Sequence, residues 1–125
     1  MTTQQTLSRR ERNLADIRER AIPIAERIFL DEGIDALTAR RLAKDLGISV
    51  GSLYNAFGDL DGVIRMVIHK STTMLSQILH TALEAAEQDA RARVVVLGLA
   101  YFEFALAELR RWWLLFEYKT NAPTD

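Results

Sequence analysis

Cysteine is absent from the 125 residues, which excludes disulfides, thiolate metal sites and cysteine nucleophiles and fits a reducing compartment. Proline occurs only at Pro23 and Pro123, and no segment sustains the period-two alternation of a half-buried strand. No run approaches the ~20 consecutive apolar residues that span a bilayer. The polar N-terminal stretch MTTQQTLSRRERNLADIRER also lacks the apolar segment of a secretion signal. These absences predict an all-α, soluble, cytoplasmic protein that makes no membrane contact. A chain of this length forms one domain, or one small domain and part of another, and buries roughly two thirds of its unfolded surface.

A strong charge of one sign is missing too, since the net charge is −1. Residues 1–57 carry nine Lys/Arg against eight Asp/Glu, and residues 58–125 carry seven against nine. Clustering says more than the totals. Arg9, Arg10, Arg12, Arg18 and Arg20 fall in one segment and Arg40, Arg41 and Lys44 in another, a pattern that suits a polyanionic partner or, more plainly, solvated helix faces.

What is present is helical spacing. Ala21, Ile24, Ala25, Ile28 and Phe29 recur at three- and four-residue steps until Gly33 stops the pattern. Pro23 inside this run removes a hydrogen bond, so the arginine-rich segment before it is expected to kink away or to form a separate arm. Thr38 can cap a short helix ending at Gly47, and Ser49 can cap a second that buries Leu53, Ala56 and Phe57. Two short helices across a glycine turn form a helix-turn-helix pattern. After Gly58, Asp59 or Asp61 can cap a longer helix with Ile64, Val67, Ser71, Met74, Leu75, Ile78, Ala82 and Ala86 on one face. A polar turn at Gln88 and Asp89 leads to a helix that is apolar nearly all round between Val94 and Leu109, hence expected to be buried on most sides. A short apolar helix from Trp112 and a polar tail follow.

The stretch GISVG, Gly47 to Gly51, matches the G-x-S-x-G of serine hydrolases. That chemistry needs an apolar strand before the turn and a histidine base. The preceding TARRLAKDL has helical spacing, and the only histidines, His69 and His80, fall in a helical segment. No enzyme chemistry follows from the match. The helix-turn-helix reading makes Ser49 a cap and gives the second helix a slim first turn, Val50, Gly51 and Ser52, that lets a backbone approach closely. Its outward residues suit DNA: Asn55 can pair bidentately with adenine, Val50 can touch a thymine methyl, and Tyr54 can donate to a phosphate or pack in the core. The free amides at Ser49 and Val50 offer a phosphate a helix N-terminus.

The run AIPIAERIFLDEGIDALTARRLAKDLGISVGSLYNAFGDLDGVI resembles the N-terminal domain of TetR-family transcriptional regulators. Ala25, Phe29, Gly33, Thr38, Leu42, Ala43, Gly47, Ile48, Ser49, Gly51, Ser52, Leu53, Tyr54 and Phe57 stand at that family's pattern positions. The resemblance implies that Thr38 and Tyr54 grip phosphates, that Arg40, with Arg41 beside it, faces a base or phosphate, and that Val50, Gly51, Ser52 and Asn55 face the groove. Leu60 stands where the family usually has lysine, and Arg9, Arg10 and Arg12 are candidates to replace that contact. The LGLAYFEFALAELRRWWLLFE run resembles the middle helices of the family's effector and dimerisation domain. Family members continue further, so the dimerising helices are expected to be missing here.

The expected organisation is therefore a DNA-binding domain over residues 1–58 with an arginine-rich arm, followed by an incomplete helical effector-binding and dimerisation domain over 59–125. Tyr101, Phe102, Phe104, Trp112, Trp113 and Phe116 are candidates to line an apolar effector pocket, though aromatics at helical spacing are as readily core. His80 and Glu84 lie one turn apart without an evident third ligand, so neither metal nor cofactor is implied. The function expected is an effector-responsive DNA-binding transcriptional regulator, most simply a repressor, bound as a homodimer to a palindromic operator in double-stranded DNA. The alternative is a shortened helical interaction module that pairs with another regulator without reading DNA.

Overall fold

The structure is a computed structural model that describes residues 8–118. Its elements are α1 (Arg9–Glu32), a 3-10 turn (Ile34–Ala36), α2 (Ala39–Leu46), α3 (Val50–Phe57), α4 (Leu60–Ala85), α5 (Ala90–Ala107) and α6 (Leu109–Phe116). Among the described residues there is no strand, and no helix is long and apolar enough to cross a membrane. The all-α class and the helix-turn-helix both stand. Two compact units divide between Val67 and Ile68, inside α4.

The first unit is built on α1. Ser8 and Glu11 close a capping box at its start: the Glu11 amide donates to Ser8 Oγ at 3.1 Å and the Ser8 amide to Glu11 Oε2 at 2.9 Å. The helix then runs unbroken through Pro23, so the arginine-rich segment is part of α1 and not a separate helical arm. Two features hold the residues around the proline in helical register. Ala21 and Ala25 are fully buried, while Arg18 and Arg20 reach across to carbonyls of α3 and α2. Ile28 and Phe29 continue the buried face of α1 and meet Leu42, Leu46 and Leu53, all at most 4 % exposed. Full burial of such side chains contributes roughly 1.5–3 kcal/mol each.

At the junction of α3 and α4 two backbones approach closely. Asp59, not Asp61, caps α4, accepting from the Gly62 amide at 2.8 Å. Gly62 packs so closely that a Cβ there would run into the carbonyl oxygen of Phe57. Val63, Ile64 and Val67 beyond it are buried.

The second unit consists of the later part of α4 with α5 and α6. Asp89 caps α5 by accepting from the Ala92 amide at 3.1 Å. Phe104 is the buried residue of α5, whereas Val94, Val95, Leu99, Phe102 and Leu106 are between 54 % and 69 % exposed. The expected burial of α5 on most sides is thus corrected. A helix apolar all round needs cover all round, and the described neighbours cover a single edge. The polar tail from residue 119 lies outside the described residues.

Replacing Gly62 by alanine should destabilise the first unit by about 1–2 kcal/mol, the clash with a backbone carbonyl outweighing the helix propensity gained. A urea midpoint that falls at unchanged slope is the expected measurement.

Candidate nucleic-acid interface

The segment from Thr38 to Phe57 forms its local structure through three short-range devices. Thr38 Oγ1 accepts from the Arg41 amide at 3.1 Å and starts α2. Gly47, at φ 73° and ψ 31°, ends it in the left-handed conformation that disfavours any side chain, and the Ile48 amide returns to the Ala43 carbonyl at 3.0 Å. Ser49 Oγ then accepts from the Ser52 amide at 3.0 Å and its hydroxyl lies 3.0 Å from that of Ser52. Ser49 is a helix cap, and both its neighbours in that role come from α3 itself.

The caps fix which side of α3 faces inward. Leu53 and Ala56 are buried against the unit's core. Gly51, Tyr54 and Asn55 are exposed, with Val50 and Ser52 half-buried. The Tyr54 and Asn55 side chains make no hydrogen bond among the described residues. Tyr54 is 43 % exposed, so it is not a core residue. Phe57, expected to be buried, is half-buried. Gly51 is informative for the opposite reason to Gly62: a Cβ there would meet only Ser49 Oγ, at 3.8 Å, and its φ is ordinary. Nothing inside the fold requires glycine at this place, although glycine weakens a helix interior by roughly 0.5–1 kcal/mol.

The arginines sort into two groups. Arg18 Nε donates to the Ala56 carbonyl at 2.6 Å and Arg20 Nη2 to the Leu46 carbonyl at 3.0 Å, so that each satisfies the C-terminal end of a short helix. Arg41 closes a fork on Glu32, with Nη1 and Nη2 at 3.1 and 2.8 Å, and its Nε donates to Asp45 at 3.1 Å. That guanidinium ties the end of α1 to α2. Arg9, Arg10 and Arg40 are exposed, and their side chains have no hydrogen-bond or ion-pair partner among the described residues. Leu60, in the place of the expected lysine, is half-buried at the start of α4.

Sequence reading placed Arg18 and Arg20 in the basic cluster and missed their capping role. The partners lie 38 and 26 residues away, beyond any local pattern.

The six aromatic side chains expected around an effector are not brought into one pocket. Tyr101, Trp112 and Phe116 cluster, with Phe116 centroids 5.9 Å from both others and the Trp112 Nε1–H donating to Tyr101 Oη at 2.8 Å. Trp113 packs on Tyr118 instead, and Phe102 is 59 % exposed. Phe104 is buried at the floor of a separate groove of about 480 Å³, lined also by Met74, Ile78, Ala100, Glu103 and Glu108. Beside it, buried Arg111 donates to Ser71 Oγ at 2.9 Å and pairs with Glu108 at 3.5 Å. His80 pairs with Glu84 at 3.1 Å on an exposed face, and among the described residues no group of three or more His, Cys, Asp or Glu could hold a metal.

With that geometry in hand, residues 24–65 match the sequence profile of the bacterial regulatory proteins of the tetR family. Over these residues the chain is similar to the tetR family. The tetR match begins at residue 24, so the first half of α1 lies outside it. An HTH-type transcriptional regulator of Staphylococcus aureus strain USA300 is 38 % identical over 53 residues, which are 42 % of this chain and 29 % of that protein. One from the bovine strain RF122 / ET3-1 is 36 % identical over 61 residues, 48 % of this chain and 33 % of that protein. A structure of a protein of unknown function from Rhodococcus sp. RHA1 superposes with a TM-score of 0.72 at 32 % identity, covering 86 % of this chain and 55 % of that one. The chain thus spans about a third of the curated relatives it matches and about half of the solved one.

The Arg41 hydrogen bonds hold the Glu32 carboxyl below its ordinary value of 4.5, and the same bonds raise the Arg41 guanidinium. A lowered folded-state value means that the contribution to stability is full above pH 4.5 and is lost as pH falls through the folded value. Glu32→Gln should therefore lower stability at neutral pH and flatten its acid dependence below pH 4.5, as read from thermal melts at stepped pH.

Proposed function

We propose that this protein is a sequence-specific DNA-binding transcriptional regulator in which α3 enters the major groove. The observation that carries this reading is the outward face of α3: a slim Gly51 for which the described fold shows no need, beside Tyr54 and Asn55 with no side-chain partner among the described residues. A glycine unexplained from within fits a backbone approached closely from outside. Asn55 offers the donor and acceptor pair that adenine presents in the major groove, Val50 suits a thymine methyl, and Tyr54 suits a phosphate. Thr38, Arg40 and Ser49, all exposed, and the half-buried Ser52 would supply phosphate contacts that set the register. Arg41, held by Glu32 and Asp45, acts by positioning α2.

Residues 1–58 would then be the reading domain, with the helices after it receiving an effector and pairing two copies on a palindromic operator. The groove around Phe104, mostly apolar, suits a small effector better than the separated aromatics do. Repression is the simplest outcome, since a protein seated on an operator excludes other proteins from it. A cytoplasmic location follows from a DNA target. The exposed side chains Val95, Leu99, Phe102 and Leu106, spaced four, three and four residues apart along α5, favour a second role in pairing with another helical surface.

Selection of bound duplexes from a random pool tests the reading directly. Enrichment of a palindrome by the wild type is expected, with Asn55→Ala relaxing preference at one position per half-site by about 1–3 kcal/mol; a folded protein that enriches nothing would sink the proposal. Gly51→Ala should separate fold from function. It should stabilise α3 by about 0.5–1 kcal/mol, yet weaken binding to the enriched duplex in a titration.

A further inference from the structure

A second polar surface adjoins the outward face of α3 within the first unit. The opening turns of α1 and the middle of α3 enclose a cleft of about 530 Å³. One wall carries Arg9, Arg10 and Asn13, and the other Ser52 and Asn55, over a floor of Leu14 and Ile17. On α1 these residues recur at 9, 13 and 17 and at 10, 14 and 17, so one helix face supplies the whole wall. No carboxylate lines the cleft. The nearby acids are engaged elsewhere, Glu11 in the cap on Ser8 and Asp16 with Arg20 at 3.5 Å. Arg9 and Arg10, by contrast, have no side-chain partner among the described residues.

We propose that this cleft receives the phosphodiester backbone of the DNA strand flanking the bases that Asn55 faces, with Arg9 and Arg10 each neutralising a phosphate and Asn13 and Ser52 donating to the same strand. The inference rests on the DNA-reading proposal and extends it to residues of α1 that precede the tetR match at residue 24. Two cations with no counter-charge among the described residues, converging with neutral donors over an apolar floor, fit an anion that is extended and carries sugar surface. A guanidinium matches phosphate oxygens in a two-pronged geometry. Asn55 belongs to both surfaces, so seating the backbone in the cleft fixes how far the amide reaches towards a base edge. Arg9 and Arg10 would thereby replace the phosphate contact that a lysine in the place of Leu60 would have made.

The test is the salt dependence of affinity for the duplex enriched by selection, measured for wild type, Arg9→Ala/Arg10→Ala and Arg9→Lys/Arg10→Lys. Each phosphate neutralised contributes about −0.9 to the slope of log K against log salt. The alanine pair should therefore make the slope shallower by about 2 while leaving the preferred sequence unchanged. The lysine pair, which keeps the charges, should retain the slope and thereby separate phosphate neutralisation from a structural role. Circular dichroism checks that helix content is kept in both variants. An alanine pair that binds with an unchanged slope overturns the inference alone; a wild type that binds no duplex overturns the DNA-reading proposal along with it.

Discussion

Two eight-residue helices cannot stand by themselves in water, where isolated helices shorter than ~12–15 residues are marginal. Everything in the first unit depends on α1 supplying what α2 and α3 lack. It gives them an apolar surface in Ala21, Ala25, Ile28 and Phe29. It also gives their C-terminal carbonyls two guanidinium donors, Arg20 on Leu46 and Arg18 on Ala56. Hydrogen bonds to a charged group contribute roughly 1.5–3 kcal/mol, which is comparable with the cost of about 3 kcal/mol for proline inside a helix. This is a physical reason for α1 to continue as a helix through Pro23: breaking it there would withdraw both caps.

The same platform sets the direction in which α3 points. Leu53 and Ala56 are drawn to the core, so the residues a third of a turn away must face outward, and the Ser49 cap and left-handed Gly47 fix where that rotation begins. Gly62 performs the complementary task at the other end, letting α4 start against the Phe57 carbonyl. Recognition by a helix demands that its backbone be placed within a fraction of a helical turn. Two glycines and a serine at the corners, Gly47, Gly62 and Ser49, place α3 with no long-range polar contact from its outward face among the described residues.

How much of this was legible follows from the range of each interaction. The caps at Thr38 and Ser49, the stop at Gly47 and the inward Leu53 are set within four residues of chain and could be read from spacing alone. Asp59 rather than Asp61 as the cap of α4 could not, because both lie within reach of the same first turn. Arg18 and Arg20 were legible only as basic residues, since their carbonyl partners come from distant helices. The α5 face misled for a different reason. An apolar stripe states that a surface needs covering, but it carries no information on whether the cover comes from the same polypeptide, and Val95, Leu99 and Phe102 are open among the described residues.

Residues constrained from within a fold and residues constrained from outside it leave different traces, and the contrast separates structure from function here. Arg18 and Arg20 are costly to remove for the fold, each holding a part-buried carbonyl that would otherwise lose its donor, and Arg41 ties α2 to the end of α1. Gly62 is forced by a backbone atom one turn away. For Gly51, Tyr54, Asn55, Arg9 and Arg10 no such internal demand exists among the described residues, and several of them are unfavourable choices for a solvated surface: a glycine weakens a helix, and two adjacent arginines at its start oppose the positive end of the helix dipole. Yet they gather on α3 and on the one face of α1 that adjoins it. Residues that the fold would be better without, collected in one place, are the physical mark of a surface shaped by what it meets, and the proposed DNA partner would account for all five at once.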